Sequence, residues 1–88
     1  MAYVYILKSL KDSKKYIGST IDLKKRINEH NQGKVKSTKW KKPLALIGYE
    51  YFEKIEDASI FEKKYKRSHD LLLRKIKSGN MKIVRNGM

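Results

Sequence analysis

Cysteine is absent from the 88 residues, which removes disulfides, thiolate nucleophiles and Cys-based zinc sites together. That absence fits a reducing compartment, and the cytoplasm is the expected location. Proline occurs once, at Pro43, and no Pro/Gly-rich linker, internal repeat or low-complexity tract divides the chain. Long apolar runs are also missing. Runs such as Leu44–Tyr49 fall far short of a membrane span, and Lys8 ends the stretch Ala2–Leu7 before a signal-peptide core can form. No membrane partner is expected. Acid is the scarcest charge: nine Asp and Glu face 22 Lys and Arg, a formal net charge of +13.

What is present fits one domain with a modest core, since 40% of the residues are hydrophobic. So large a positive surplus attracts polyanions, of which nucleic acid releases condensed counterions on binding. Eighteen of the 22 basic residues are Lys, a bias that can also be purely compositional. Charge narrows the partner and leaves the chemistry open.

Tyr3–Leu7 is rich in β-branched and aromatic residues and reads as a buried strand. Asp12-Ser13 is the turn, and Lys15–Gly18 the return strand of a hairpin. Ser19-Thr20-Ile21-Asp22 matches a capping box ahead of a helix over Leu23–Asn31, closed by Gly33. Lys34–Lys42 reads as a loop with five lysines and the only Trp. Pro43 admits a third strand, Leu44–Phe52. Glu56 or Asp57 opens a second helix to Arg67, and Ser68 caps a third over Leu71–Lys77, stopped by Gly79. The expected fold is α+β: a mostly antiparallel three-stranded sheet flanked by about three helices. Residues 1–79 form the domain, and 80–88 are a tail, either a short strand at Met81–Val84 or disordered. A monomer is favoured.

Three polar residues fall inside apolar helical stripes. At 100° per residue, Leu23, Arg26, Ile27 and His30 share an arc of about 100°, the width of a core-facing stripe. On the second helix Glu62 shares such an arc with Ala58, Phe61 and Tyr65. A buried carboxylate or guanidinium is costly unless paired or bound to a ligand. Either Arg26 and Glu62 pair with each other or snorkel from the stripe edge, or an acid, a guanidinium and an imidazole meet in a cleft of the active-site kind. Tyr5 and Tyr16, in the two arms of the hairpin, are expected to face each other. Tyr3, Tyr49 and Tyr51 read as sheet packing.

Val4-Tyr5, Tyr16-Ile17-Gly18, Ser19-Thr20, Leu23, Arg26 and His30, in that order, resemble the GIY-YIG nuclease superfamily and its small single-domain UPF0213-type members. The likeness runs from Ala2 to about Lys75 and includes Pro43–Leu46 and Ala58…Glu62-Lys63-Lys64…Lys66. It implies a metal-dependent endonuclease that hydrolyses phosphodiesters of DNA with low sequence specificity. Carried over by position, Glu62 holds one divalent cation, Mg²⁺ or Mn²⁺, and Arg26 grips the scissile phosphate. Tyr5 and Tyr16 position and activate the attacking water, His30 assists proton transfer, and Gly18 lets the backbone approach the substrate. Which tyrosine is the base stays open. Two departures stand out. The first triplet, Tyr3-Val4-Tyr5, lacks its glycine, and Arg74 and Lys77 occupy the region where larger relatives carry an Asn.

Around that site Lys34, Lys36, Lys39, Lys41 and Lys42 are expected to track phosphates, and Trp40 to stack on an unpaired base or tuck against the sheet. Lys63–Arg67 and Arg74-Lys75 read as solvated faces. The expected partner is DNA, whether single-stranded, branched or duplex, with RNA a further candidate. The alternatives are a non-catalytic nucleic-acid binder on the same scaffold and an accessory subunit docking an acidic protein.

Overall fold

β1 (Ala2–Ser9) is apolar on both sides because it lies in the middle of the sheet, with antiparallel neighbours along its length. β2 (Lys15–Thr20) returns beside it and forms one edge. The connecting turn uses Asp12 and Ser13: Asp12 Oδ1 accepts from Lys14 N at 2.9 Å, and Ser13 adopts a positive φ of 63°. α1 (Leu23–Asn31), β3 (Leu44–Phe52), α2 (Ile55–Arg67), α3 (His69–Ser78) and β4 (Lys82–Ile83) complete the chain. The computed structural model describes residues 1–84. Within them the sheet has four antiparallel strands in the order β2-β1-β3-β4, with β2 and β4 as edges.

The pleat sorts side chains to two layers. Ala2, Val4 and Ile6 pack with Ala58, Tyr65, Leu72 and Met81 on the α2/α3 side. Tyr5 and Leu7 pack with Ile27, Leu44 and Leu46 on the α1 side. Each fully buried Val, Leu or Ile contributes about 1.5–3 kcal/mol, so both helical layers are clamped onto β1. In β3 the register slips against β1 between Ile6 and Leu7, placing one extra residue in the strand. Parity along β3 therefore switches: Leu44 and Leu46 face α1, as do Tyr49 and Tyr51 farther on.

Several boundaries differ from the sequence reading, each for a local reason. Ser19 and Thr20 end β2 instead of capping α1; the cap is Asp22, whose Oδ1 accepts from Lys25 N at 3.1 Å. α2 begins at Ile55 with no side-chain cap. α3 begins at His69, directly after Ser68, whose Oγ accepts from Leu71 N at 3.3 Å, and ends at Gly79 with a φ of 83°. Within Lys34–Lys42, residues Lys36–Thr38 form one 3-10 turn. The short strand offered as one option at Met81–Val84 forms as β4, which adds a fourth strand to the expected three. Met81 is buried in the α2/α3 core, so the domain runs past residue 79; residues 85–88 of the expected tail lie outside the described ones. No described helix is long and apolar enough to cross a membrane.

Candidate active site

The site grows from a cross-strand pair. Tyr5 of β1 stands opposite Gly18 of β2, and Tyr16 stands opposite Leu7. Tyr5 and Tyr16 are thus diagonal neighbours and do not face each other directly; their rings lie 6.4 Å apart. A Cβ on Gly18 would meet the Tyr5 hydroxyl, with Cζ at 2.6 Å and Tyr16 Cε2 at 3.1 Å. Gly18 is itself buried. The space this glycine keeps open is filled by Tyr5, which corrects its expected role of admitting substrate to the backbone.

α1 delivers His30 and Arg26 onto these tyrosines. His30 is 0% exposed and stacks edge-on against both rings, 5.6 Å from Tyr5 and 5.1 Å from Tyr16. Tyr5 Oη lies 2.9 Å from His30 Nε2, and Thr38 Oγ1 lies 2.7 Å from His30 Nδ1. Thr38 Oγ1 also faces Val35 O at 3.5 Å and donates there. With that hydroxyl direction, Nδ1–H donates to Thr38 and Nε2 accepts from the Tyr5 hydroxyl. Burial, reinforced by the Arg26 charge, depresses the His30 pKa to about 4, so the ring is neutral. Burial outweighs the Arg26 guanidinium beside it and pushes Tyr5 up to about 12, so Tyr5 is a neutral phenol. The Arg26 guanidinium donates to Glu29 Oε1 at 3.2 Å and lies beside the Tyr5 hydroxyl, which holds it firmly charged.

This geometry carries a pH prediction. His30 titrates near 6.5 when unfolded and near 4 when folded, so the unfolded chain binds the extra proton between those values. Stability is full above pH 6.5 and falls as pH drops. Lowering pH from 7.5 to 5 is expected to remove about 2 kcal/mol, and His30→Gln to flatten that loss. Urea unfolding at the two pH values checks it; an equal slope in the variant contradicts it.

Glu62 arrives from the other side of the sheet. α2 packs on the Val4/Ile6 face and α1 on the Tyr5/Leu7 face, so Arg26 and Glu62 do not share the walls of one cleft. They meet around β2 because β2 is an edge with no strand beyond it. Ser19 Oγ donates to Glu62 Oε1 at 2.5 Å and Lys66 Nζ to Oε2 at 2.8 Å. The Lys66 ammonium lies 5.6 Å from the Tyr16 ring centre, and the Glu62 charge reaches the Tyr5 hydroxyl, helping to raise its pKa. Arg26 pairs with Glu29 and Glu62 with Lys66; a mutual Arg26–Glu62 ion pair is not formed. Tyr16, half-buried, is the open tyrosine of the pair.

Among the described residues no group of three His, Cys, Asp or Glu is arranged as a metal cage. The donor set at the β2 edge is one carboxylate and one hydroxyl. A hard cation that keeps most of its waters suits such a set. Lys66, whose side chain is 47% exposed, already places a positive charge on Glu62 Oε2. Glu62 therefore fits a single Mg²⁺-like ion.

The lysine segment is stapled to the site. Thr38 is buried under His30, and Ser9 Oγ donates to Lys41 O at 2.6 Å. Lys34, Lys36, Lys39 and Lys42 are exposed and Lys41 is half-buried. Trp40 is 77% exposed and does not tuck against the sheet; Lys39 Nζ lies 5.1 Å from its ring. The presumed solvated faces divide. Tyr65 is buried and donates to Glu50 Oε1, Lys75 Nζ lies 3.6 Å from Glu50 Oε2, and Lys66 serves Glu62. Sequence reasoning missed Thr38, Ser19 and Lys66 as site partners. Only Lys66 carried a signal, its four-residue spacing from Glu62.

Residues 1–77 match the family model described as the GIY-YIG catalytic domain. UPF0213 proteins of Streptococcus pyogenes serotypes M3 and M1 are each 41% identical over 75 residues, covering 80% of this chain and 80% of the relative. The solution structure of a UPF0213 protein from Bacillus halodurans aligns with a TM-score of 0.49 at 34% identity, covering 89% of this chain and 84% of that one.

Proposed function

The chain belongs to the GIY-YIG family, and from that premise we propose that it is a divalent-metal-dependent endonuclease acting on DNA with low sequence specificity. The observation that carries this reading is the gathering of Tyr5, Tyr16, Arg26 and His30 in one hydrogen-bonded and aromatic cluster beside the β2 edge that Glu62 reaches.

Phosphodiester hydrolysis needs the phosphate charge neutralised, a water oriented and deprotonated, and the leaving oxygen assisted. Arg26 presents a charged planar fork to phosphate oxygens, aligned by the Tyr5 hydroxyl on one side and Glu29 on the other. Tyr16, the open tyrosine, orients the attacking water through its phenol oxygen. Tyr5 and His30 are closed to solvent and commit their polar atoms to each other, Thr38 and Arg26, so they position the reacting groups. Glu62, with Ser19 behind it, would hold the cation; when bound, that ion supplies charge neutralisation at the phosphate and polarises coordinated water. Lys34, Lys36, Lys39, Lys41 and Lys42 draw the backbone of the nucleic acid to the site, and exposed Trp40 offers a face to an unpaired base.

Arg26→Ala is expected to slow cleavage of labelled DNA in Mg²⁺ or Mn²⁺ by about 10²–10³-fold, with Arg26→Lys recovering little because an ammonium lacks the fork. Wild-type rates in both variants would refute the assignment. Salt-sensitive binding by wild type with no cleavage of single-stranded, duplex or forked DNA would identify a binder.

A further inference from the structure

Tyr3 and Tyr5 point to the same face of β1, two residues and about 7 Å apart. α1 covers Tyr5 and Leu7. Beyond Tyr3 the same face continues across the sheet, because Tyr3 pairs with Tyr51 and Tyr5 with Tyr49 in the β1/β3 register. At that end α1 contributes its first residues, Leu23 and Lys24, to the rim of a depression beside Tyr3 and Tyr49. Tyr51 is 52% exposed, and Tyr3 and Tyr49 are half-buried. Tyr3 meets Tyr51 at 5.7 Å and Tyr49 at 6.2 Å, both edge-to-face, so each contact covers one face of one ring, and half-exposed Tyr51 keeps ring surface open to solvent. Sheet packing alone does not call for three tyrosines on a partly exposed surface.

Cations bracket the three rings. Lys24, at the start of α1, borders a depression with Met1, Tyr3, Ile21 and Tyr49. Lys82 pairs with Tyr49 across β3/β4 and borders a second depression with Tyr49, Tyr51 and Asn80. Of the acids beside these rings, Asp22 has its carboxylate occupied in capping α1, and Glu50 is buried against Tyr65 on the other side of the sheet. Flat aromatic faces between ammonium groups, on a chain of net charge +13, match bases alternating with phosphates. Only unpaired bases can lie on such faces.

We propose that Tyr3, Tyr49 and Tyr51, between Lys24 and Lys82, form a stacking subsite for the single-stranded flank of a DNA substrate. This rests on the reading that the chain acts on DNA, and it names the substrate form: a strand with unpaired nucleotides beside the cleaved bond. At 3.4 Å per stacked nucleotide, Tyr3 lies about two nucleotides from Tyr5.

The test is binding of fluorescein-labelled oligo(dT)₂₀ and of a 20-base-pair duplex, followed by anisotropy in EDTA, so that no cleavage enters the readout. Tyr51→Ala, at an exposed position, is expected to weaken oligo(dT) binding about tenfold, the loss of one stacked base, and to change duplex binding less than about twofold. Lys82→Glu should weaken oligo(dT) binding and lower its salt dependence. Equal losses on both DNAs, or no loss on oligo(dT), would overturn the subsite. So would a shift of Tyr51→Ala from dimer to monomer by light scattering with unchanged oligo(dT) affinity, which would make the patch a contact between two copies. Selective loss of oligo(dT) binding in a chain that cleaves nothing in Mg²⁺ would uphold the subsite while refuting the nuclease reading.

Discussion

Gly18→Ala is expected to cost about 1–3 kcal/mol of stability and, by displacing Tyr5, to slow DNA cleavage about 10²-fold. The new methyl would stand 2.6 Å from Tyr5 Cζ and closer still to the hydroxyl. Tyr5 cannot yield cheaply. Its ring is buried among Leu7, Ile27 and Leu46, and its hydroxyl is tied to His30 Nε2 at 2.9 Å. Any movement that relieves the clash therefore opens the Tyr5–His30 bond and shifts the group that aligns Arg26. A double-mutant cycle isolates the cause. In a Tyr5→Ala background the ring is gone, and Gly18→Ala should become nearly neutral in urea unfolding, a coupling well above the additivity error of about 0.5 kcal/mol. Additive costs would show that Gly18 matters for some reason other than the room it gives Tyr5.

The second large effect belongs to Glu62. Glu62→Gln keeps the size and the Ser19 contact but removes the charge, and cleavage in Mg²⁺ is expected to fall about a thousandfold, equivalent to several kcal/mol of transition-state stabilisation. Stability should change little, since the lost Lys66 pair is an i,i+4 bridge with an exposed lysine. The two variants thus separate cleanly: Gly18→Ala lowers both unfolding free energy and rate, and Glu62→Gln lowers rate alone. Thermal unfolding and a cleavage time course on the same preparations distinguish them. A Glu62→Gln chain that cleaves at the wild-type rate would remove Glu62 from the chemistry.

Local patterns in the chain foretold much of this architecture, and the misses share one cause. β3 over Leu44–Phe52 and α1 over Leu23–Asn31 were readable because apolar periodicity and their neighbouring punctuation, Pro43 and Gly33, agree. The inward aim of Arg26, His30 and Glu62 was readable from helical phase alone. What escaped depends on residues distant in sequence. The choice between strand and disorder at Met81–Val84 could not be made locally, because the two residues of β4 are held by pairing with Gly48 and Tyr49. The register slip in β3, which sends Glu50 to Tyr65 and Lys75 and sends Tyr49 and Tyr51 to the α1 side, is a property of the β1/β3 pairing. Ser19 and Asp22 both carry capping side chains, and strand pairing with Val4 claimed Ser19. Thr38 lies eight residues from His30 with no pattern joining them; the 3-10 turn alone brings its hydroxyl to Nδ1. Helical phase also cannot say on which side of a sheet a helix packs, so the expected cleft became a site that wraps the β2 edge.

The most direct test is nicking of supercoiled plasmid by the wild-type chain after EDTA treatment, with and without added Mg²⁺ or Mn²⁺, alongside Arg26→Ala. Nicked circles are expected to accumulate only when the metal is restored and only in the wild type. Plasmid that stays supercoiled in both metals, or Arg26→Ala that nicks at the wild-type rate, would contradict the account.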